Sequence, residues 1–390
     1  LDHILALSGS PKEIIDGVRY YANQMRPEHL GMHVAERLKE KGFKVTVLAP
    51  DESIVSAHDL IKAATKYSGQ ADIKAVLQLA NISSIRPAKP SAHKLKVKKE
   101  RSHGVPMEVA GNVDTWARLE PAFPEIPIIS YEHKRLVSTL ETPLTKELFP
   151  IIERTRTEVR RKSPTPTNSK AHGNPLAKRK VIVTSGPTAE QLTTGGDVIT
   201  NFSSGRQGIA IAETLADMGA QVLLISGPTA LPDPAHRNII TMHAVDARTM
   251  YYMVMQNLPA DAYIGVAAIA DFGIGNTLDI KLKEDEPYTL HLIQNPDILQ
   301  IIGTHAALRP KVVIGFAAET DSSALLDYAR EKLVRKGADA ICANQVGGPG
   351  GDTNQVTWVA KDGAQPWEAM DKHAVGHKIG LKLAEMLGSK

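Results

Sequence analysis

A chain of 390 residues with a single cysteine can form no internal disulfide and no cysteine-rich zinc site. That cysteine, Cys342, lies in the apolar run AICAN and reads as a buried structural thiol, not a nucleophile. No apolar run approaches the roughly 20 residues a membrane span needs, and no basic-then-apolar secretory segment is present. A cytoplasmic protein with no membrane partner is therefore expected. The formal charge is only +3 at pH 7, with Lys and Arg concentrated at 94–101 and 154–180, so no nucleic acid partner is expected either. Neither half carries G-x-G-x-x-G or an acidic ribose-binding residue after its first strand, which disfavours an NAD(P)- or flavin-dependent oxidoreductase. The chain opens on Leu1 and not on methionine, so residues ahead of it are expected.

What is present is an ordinary globular composition, 42% hydrophobic and 23% charged, over a length that predicts two or three domains. The organising stretch is VIVTSGPTAEQLTTGGDVITNFSSGRQG, residues 181–208, followed by the amphipathic pattern IAIAETLADMG. Val181, Ile182 and Val183 read as a buried parallel strand that stops at Ser185, Gly186 and Pro187, and Asn201 to Gly208 open a helix. Helix N-termini present unpaired N–H groups and a partial positive charge. Ser203, Ser204, Gly205 and Gly208 therefore form a candidate phosphate cradle, to which Arg206 adds charge. The plainer alternative is an ordinary N-cap with packing glycines.

The same order of patterns opens the chain. Gly9 and Gly186, Gly31 and Gly208, and Gly42 and Gly219 are each 177 residues apart. Strand-like AVLQLANIS (75–83) matches AYIGVAAIAD (262–271), HKLKVKK (93–99) matches IKLKEDE, MEVAGNVD (107–114) matches HLIQNPDI (291–298), and IPIIS matches VVIGF. An internal repeat of strand-and-helix units predicts two similar α/β domains. Residues 135–160 read as a helical tail, and the Pro/Ser/Lys-rich segment 161–180 as a tether between domains 1–160 and 181–390. In the second domain 246–258, 324–336 and 368–387 read as helices, VTWVAK as a strand, and the Tyr251–Tyr252–Met253 cluster as core packing.

Chemistry-bearing clusters fall at strand ends: Asn201, Asp271, Lys281 with Lys283, Asn295-Pro296-Asp297, Phe316 within GFAAET, and Asn344. A lysine beside a phosphate cradle can neutralise charge on a phosphoryl group, and a carboxylate can hold Mg2+. Each taken alone also reads as a cap, turn or surface residue.

Taken in order, GPTAE, NFSSGRQG, AAIADF, KLK, NPDI, GFAAET and ICAN resemble the phosphopantothenate-cysteine ligase family, over about 181–387. The first domain resembles a diverged copy. The resemblance implies two Rossmann-like domains with mainly parallel sheets, paired as an intramolecular pseudo-dimer. It also implies a ligase that activates 4′-phosphopantothenate with CTP or ATP and Mg2+, then joins it to cysteine. By motif, Lys281 is expected to serve formation of the acyl-nucleotide and Asn201 its conversion with cysteine. Ala267 and Ala268 would lie against phosphopantothenate, Asp271 and Phe316 by the base and ribose, and Asn295 with Asp297 in the nucleotide-side loop. No protein ligand of the metal is assigned.

Departures from the family pattern are informative. Where the family carries Asp-Pro-Val-Arg on a strap that crosses to the partner protomer, the second domain reads Thr194-Gly195-Gly196-Asp197-Val198, without arginine. The first domain keeps Asp16-Gly17-Val18-Arg19 but reads Met25-Arg26-Pro27-Glu28-His29 where the cradle should be. This implies one composite site, with Arg19 as a third catalytic residue and nucleotide bound by the second domain only; the alternative leaves Arg19 on the surface or in a salt bridge. The decarboxylase half of the bifunctional family enzyme is not recognisable in 1–160, which lacks its P-x-M-N segment and catalytic-type cysteine, so no flavin is expected. The competing reading is a non-catalytic nucleotide- or ligand-binding protein on a duplicated ligase fold.

Overall fold

The structure, a computed structural model, describes residues 2–15, 19–23, 30–51, 53–83, 85–90, 105–132, 135–159, 174–275, 277–279, 283, 285–319, 324–345 and 351–388. Its first half contains β1 (His3–Leu7), β2 (Glu13–Ile14), β3 (Arg19–Asn23), α1 (Leu30–Glu40), β4 (Lys44–Leu48), α2 (Ala57–Thr65) and β5 (Ile73–Gln78). These are followed by β6 (Ile85–Pro87), β7 (Val105–Gly111), α3 (Thr115–Ala122), β8 (Ile128–Glu132), β9 (Arg135–Ser138) and α4 (Pro143–Val159). The second half opens with β10 (Lys180–Ser185), β11 (Ala189–Gln191), β12 (Asp197–Asn201), α5 (Arg206–Asp217), β13 (Gln221–Ser226), β14 (Ile239–His243) and α6 (Ala247–Gln256). Then come β15 (Ala262–Gly265), β16 (Phe272–Gly273), β17 (Pro287–Gln294), α7 (Ile298–Gly303), β18 (Val312–Glu319) and α8 (Leu325–Arg335). The chain closes with β19 (Ala340–Gln345), β20 (Thr353–Asn354), β21 (Val356–Ala360), β22 (Gly363–Pro366), β23 (Met370–Asp371) and α9 (Lys372–Met386).

The chain folds into two compact units that do not follow its linear order. One comprises Leu1–Lys162 together with Gln191–Ile199 and Ile274–Ile293; the other comprises Ser163–Glu190, Thr200–Gly273 and Gln294–Lys390. Each is built on a mainly parallel sheet. The first has the order β4-β1-β5-β8-β9, parallel except for β9, and the second β14-β13-β10-β15-β18-β19-β21-β22, parallel as far as β19. This is the α/β architecture expected from the strand-and-helix order.

The central strands carry continuous apolar runs, Ile4–Leu7 in β1 and Val181–Val183 in β10, because helices cover both faces of each sheet. Side chains alternate across a strand, so Val181 and Val183 of β10 enter one core cluster with Ile211 and Leu215 of α5 and Val375 and Ile379 of α9. Ile182, between them, enters the opposite cluster with Met250 of α6 and Leu333 of α8. In the first unit Leu5 and Leu7 pack with α2 residues Leu60 and Ile61, and Ile4 and Ala6 with Val34 and Leu38 of α1. Each such side chain contributes about 1.5–3 kcal/mol when fully buried.

The repeat is visible in backbone geometry. Gly9 and Gly186 both take positive φ, 80° and 72°, as do Gly42 and Gly219 at 91° and 94°. Gly31 and Gly208 share a close approach to the first strand: a Cβ on Gly31 would lie 2.7 Å from Ser8 Cβ, and one on Gly208 2.5 Å from Ser185 Cβ. Within the first unit, β17 pairs antiparallel with β7, Leu290 opposite Met107. These are the two strands the repeat had matched as MEVAGNVD and HLIQNPDI. An ion pair of Arg86 with Asp285 and a 2.9 Å bond from Thr289 Oγ1 to Glu108 Oε1 reinforce the pairing.

Two local readings need correction. Residues 135–138, taken for the start of a helix, form β9, antiparallel to β8, and the helix begins only at Pro143. Tyr252, expected in the core, is 61% exposed, while Tyr251 and Met253 do pack against the core. The repeat segment 93–99 and most of the expected tether, 160–173, lie outside the described residues.

Candidate functional site

The sheet of the second unit reverses its order at β10. The chain runs outward from β10 to β13 and β14, then returns to β15 on the other side of β10. In open parallel sheets the carboxyl ends of the strands at such a reversal leave a crevice for ligands. The loops leaving β10 and β15 meet there. Ala268 N donates to Gly186 O at 2.9 Å and Thr188 N to Ala268 O at 3.2 Å, and Ala270 N donates to Thr188 Oγ1 at 2.9 Å. Asn201, at the end of β12, donates from Nδ2 to the same Ala268 O at 3.0 Å. Two residues the sequence had singled out, Asn201 and Ala268, thus belong to one polar lattice at the strand ends, while Ala267 between β15 and Ala268 packs against the core.

The α5 N-terminus adjoins this lattice through Ser185, whose Oγ donates to Gly205 O at 2.9 Å. The N-cap is Gly205, left-handed at φ 76°, with no side-chain cap bond, so neither serine supplies the ordinary N-cap of the plainer alternative. Ser203 instead accepts from Gly205 N at 3.4 Å. An N-terminus without a side-chain cap suits a small anion. Gly208 has a separate physical reason, the close packing of α5 on Ser185.

Arg206 forms an ion pair with Asp352, and Gln207 Nε2 donates to Lys372 O at 3.0 Å. The Lys372 ammonium is pushed below its ordinary range, first by burial and then by the Arg206 charge, and Asp352 opposes this. The first turn of α5 is therefore a two-cation neighbourhood. Lys372 escaped the sequence reading because it opens a separate helix 166 residues later.

A second group surrounds the loop Asn295-Pro296-Asp297, expected from the resemblance on the nucleotide side. Asn295 N donates to Asp271 O at 2.9 Å and Asn295 Nδ2 to Ala270 O at 3.0 Å, so the first residue of this loop is tied twice to the segment after β15. Asp297 caps α7 by accepting from Gln300 N and forms an ion pair with Lys336, a lysine only 6% exposed. Lys332 Nζ donates to Phe316 O at 2.5 Å. The sequence reading passed over Lys332 and Lys336, although two lysines four apart on one helix, beside NPDI and GFAAET, were a usable signal. Asp271 is exposed. Tyr252, Tyr251, Arg248 and Gln294–Pro296 line an open hollow of about 440 Å³ next to this loop.

Other expected residues fall elsewhere. Lys281 lies outside the described residues, and Lys283 is exposed in the 274–293 segment of the first unit. Arg19, in β3, is only 5% exposed, so of its plainer reading, on the surface or in a salt bridge, the surface half does not hold. It lowers the pKa of the neighbouring Tyr21 hydroxyl, which burial raises by more. Asp16–Val18 and 25–29 lie outside the described residues. Among the described residues no three His, Cys, Asp or Glu side chains converge as metal ligands, and none of the helices is long and apolar enough to cross a membrane.

Fold and site together define a parallel α/β protein with a ligand crevice at a topological switch point. The chain belongs to the family described as the DNA/pantothenate metabolism flavoprotein C-terminal domain, whose model matches residues 2–124 and 176–387. It is similar to the coenzyme A biosynthesis bifunctional protein CoaBC of Vibrio vulnificus strain YJ016, 34% identical over 222 residues, covering 55% of this chain and 54% of the relative. The CoaBC of Haemophilus influenzae is 39% identical over 170 residues, covering 43% and 41% of the two chains. That of Escherichia coli K12 is 36% identical over 217 residues, covering 53% and 52%. The chain thus spans about half the length of the curated relatives it matches. A crystal structure of the C-terminal domain of a CoaBC protein superposes with a TM-score of 0.47 at 34% identity, covering 56% of this chain and 100% of that one.

Proposed function

We propose that the protein is a nucleotide-dependent ligase joining 4′-phosphopantothenate to cysteine, a step of coenzyme A biosynthesis. The observation that supports this reading is the bond from Asn201 Nδ2 to Ala268 O, which joins two residues to which the family resemblance assigns amide formation and the acid substrate. In the reaction a carboxylate oxygen attacks the α-phosphorus of CTP or ATP and pyrophosphate leaves. The cysteine amine then attacks the acyl carbon, the nucleoside monophosphate leaves, and the amine proton passes to solvent.

This chain's residues have distinct parts in that sequence. The uncapped α5 N-terminus with Ser203, Ser204, Gly205, Arg206 and Lys372 holds phosphate oxygens. Ala267 and Ala268 line the acid, Asn201 polarises the acyl oxygen, and Asn295, Asp297, Phe316, Lys332 and Lys336 form the nucleotide side. Lys281 serves the α-phosphate on the strength of its motif. When bound with the triphosphate, a magnesium ion would be held chiefly by its phosphate oxygens and would screen their charge. Arg19 enters on its strap motif alone, and unchanged turnover in Arg19→Ala would remove it.

A pyrophosphate-release assay with CTP and with ATP, with and without phosphopantothenate and cysteine, tests the reading. Release that requires phosphopantothenate, together with amide product that requires cysteine, supports it. Nucleotide binding without release would assign the chain to the non-catalytic alternative.

A further inference from the structure

One buried carboxylate recurs in both repeats and has no part in the chemistry above. Glu13 and Glu190 stand 177 residues apart, the spacing of the glycine pairs. Each is almost fully buried and accepts, through Oε1 at 2.9 Å, the backbone N–H of the first residue of a helix, Ala57 of α2 or Ala247 of α6. Each also meets a buried asparagine, Asn112 in the first repeat and Asn295 in the second.

The two hubs then diverge. Asn112 Nδ2 donates to Glu13 at 2.8 Å and its Oδ1 accepts from Val113 N, so its described side-chain bonds stay local. Asn295 Nδ2 turns to Ala270 O, and its backbone N–H to Asp271 O. Gly273 presses on the pair: a Cβ there would lie 2.8 Å from Glu190 Oε2 and 3.2 Å from Asn295 Oδ1. Thr188, the third partner of Glu190, accepts from Ala270 N. Both side-chain partners of Glu190, Asn295 and Thr188, therefore grip the same short segment, 268–271, that Asn201 also holds through Ala268 O.

We propose that Glu190 is a positioning residue, which sets Asn295 and Thr188 so that residues 268–271 keep the shape the acid-binding end of the crevice requires. The proposal rests on the ligase reading for the purpose of that segment. Its geometry does not, and Glu13 is a built-in control, the same hub without the outward bonds. Glu190→Gln keeps the volume and the acceptor for Ala247 N but places an NH2 donor against Asn295 and Thr188.

The test is amide hydrogen exchange on the full chain without ligand, comparing wild type with Glu190→Gln, Glu13→Gln and Asn295→Ala. Exchange at Ala268 and Ala270 should quicken at least tenfold in Glu190→Gln and in Asn295→Ala, and stay at the wild-type rate in Glu13→Gln. In the pyrophosphate assay Glu190→Gln should raise the KM for phosphopantothenate more than it lowers kcat, while Glu13→Gln changes neither. Unchanged exchange in Glu190→Gln, or equal quickening in Glu13→Gln, overturns the proposal. If Glu190→Gln does not fold, Asn295→Ala decides it by the same criterion. A wild-type chain with no nucleotide-dependent release would remove the ligase reading and leave the exchange result to stand by itself.

Discussion

Replacing Gly208 by alanine tests the packing of the helix that carries the cradle. The added Cβ would lie 2.5 Å from Ser185 Cβ and 3.0 Å from Ser185 Cα, both of them parts of a central strand that cannot swing aside. Relaxed carbon contacts are about 3.5–4.0 Å, so α5 must retreat from β10 by roughly 1 Å. Overpacking of this kind costs about 1–3 kcal/mol, and the higher helix propensity of alanine returns at most ~1 kcal/mol. A net loss of about 1–2 kcal/mol should lower the midpoint of the second unit's transition by roughly 2–8 °C in calorimetry, at about 2–4 °C per kcal/mol for a unit of this size. Ser185→Gly alone should also destabilise, through loss of the 2.9 Å bond to Gly205 O, worth about 1 kcal/mol. The double variant should be less damaged than the sum of the two, since Ser185→Gly removes the atoms that the alanine strikes. Gly31→Ala should act likewise on the first unit, where Ser8 Cβ and Leu7 O lie 2.7 and 2.9 Å from the added carbon. A neutral or stabilising Gly208→Ala would refute the reasoning.

Lys281→Ala should abolish pyrophosphate release, and Asn201→Ala should allow release but stall before the amide, a loss on the order of a few kcal/mol at the affected step; equal loss of both half-reactions in both variants would remove the role assignment. Hydrogen bonds from Lys44 and then His3 hold the Asp72 carboxyl down at about 2. Because the folded value lies below the ordinary one of about 3.9, the contribution of Asp72 is complete above that pH and is lost as pH falls toward 2. Asp72→Asn should therefore flatten stability against pH in that window alone, and an unchanged acid limb would count against the pairing. Cys342 is fully buried and its thiol is pushed up by burial, so a disulfide-exchange reagent should leave it untouched until the second unit opens; reaction at the native rate of an exposed thiol would contradict this.

Much of the architecture was legible because it is local. The run Val181–Val183, the turn at Gly186 and the pattern after Gly208 each declare their state within a few residues, and the 177-residue spacing showed that the pattern occurs twice. Segment 135–138 was misread because a short apolar run before a helical pattern carries no period of its own; only its pairing with β8 makes it a strand. The grouping of 191–199 and 274–293 with the first unit depends on ladders between residues nearly two hundred positions apart, which no window of sequence contains. Asn201 and Ala268, which the structure joins by a hydrogen bond, were singled out by motif. Lys336 was not, because a lysine on an amphipathic helix reads as solvated until its ion pair with Asp297 is seen. Glu13 and Glu190 shared the spacing of the glycines in plain view, but each lies in a short strand far ahead of the helix whose first N–H it accepts, so no neighbouring residue marks its role.

The strand β17 also sets an order of events during translation. The first unit is not complete when the ribosome passes Lys162, since β7 lacks the neighbour that Pro287–Leu292 will provide. At ~5–20 residues per second, that neighbour follows on the order of ten seconds later. In that interval one edge of β7 offers unpaired backbone groups to any other extended chain, the kind of edge that invites association between nascent polypeptides. A gene divided at the tether would make the interval permanent, producing a first half with an open ladder and a second half with a strand that has lost its place.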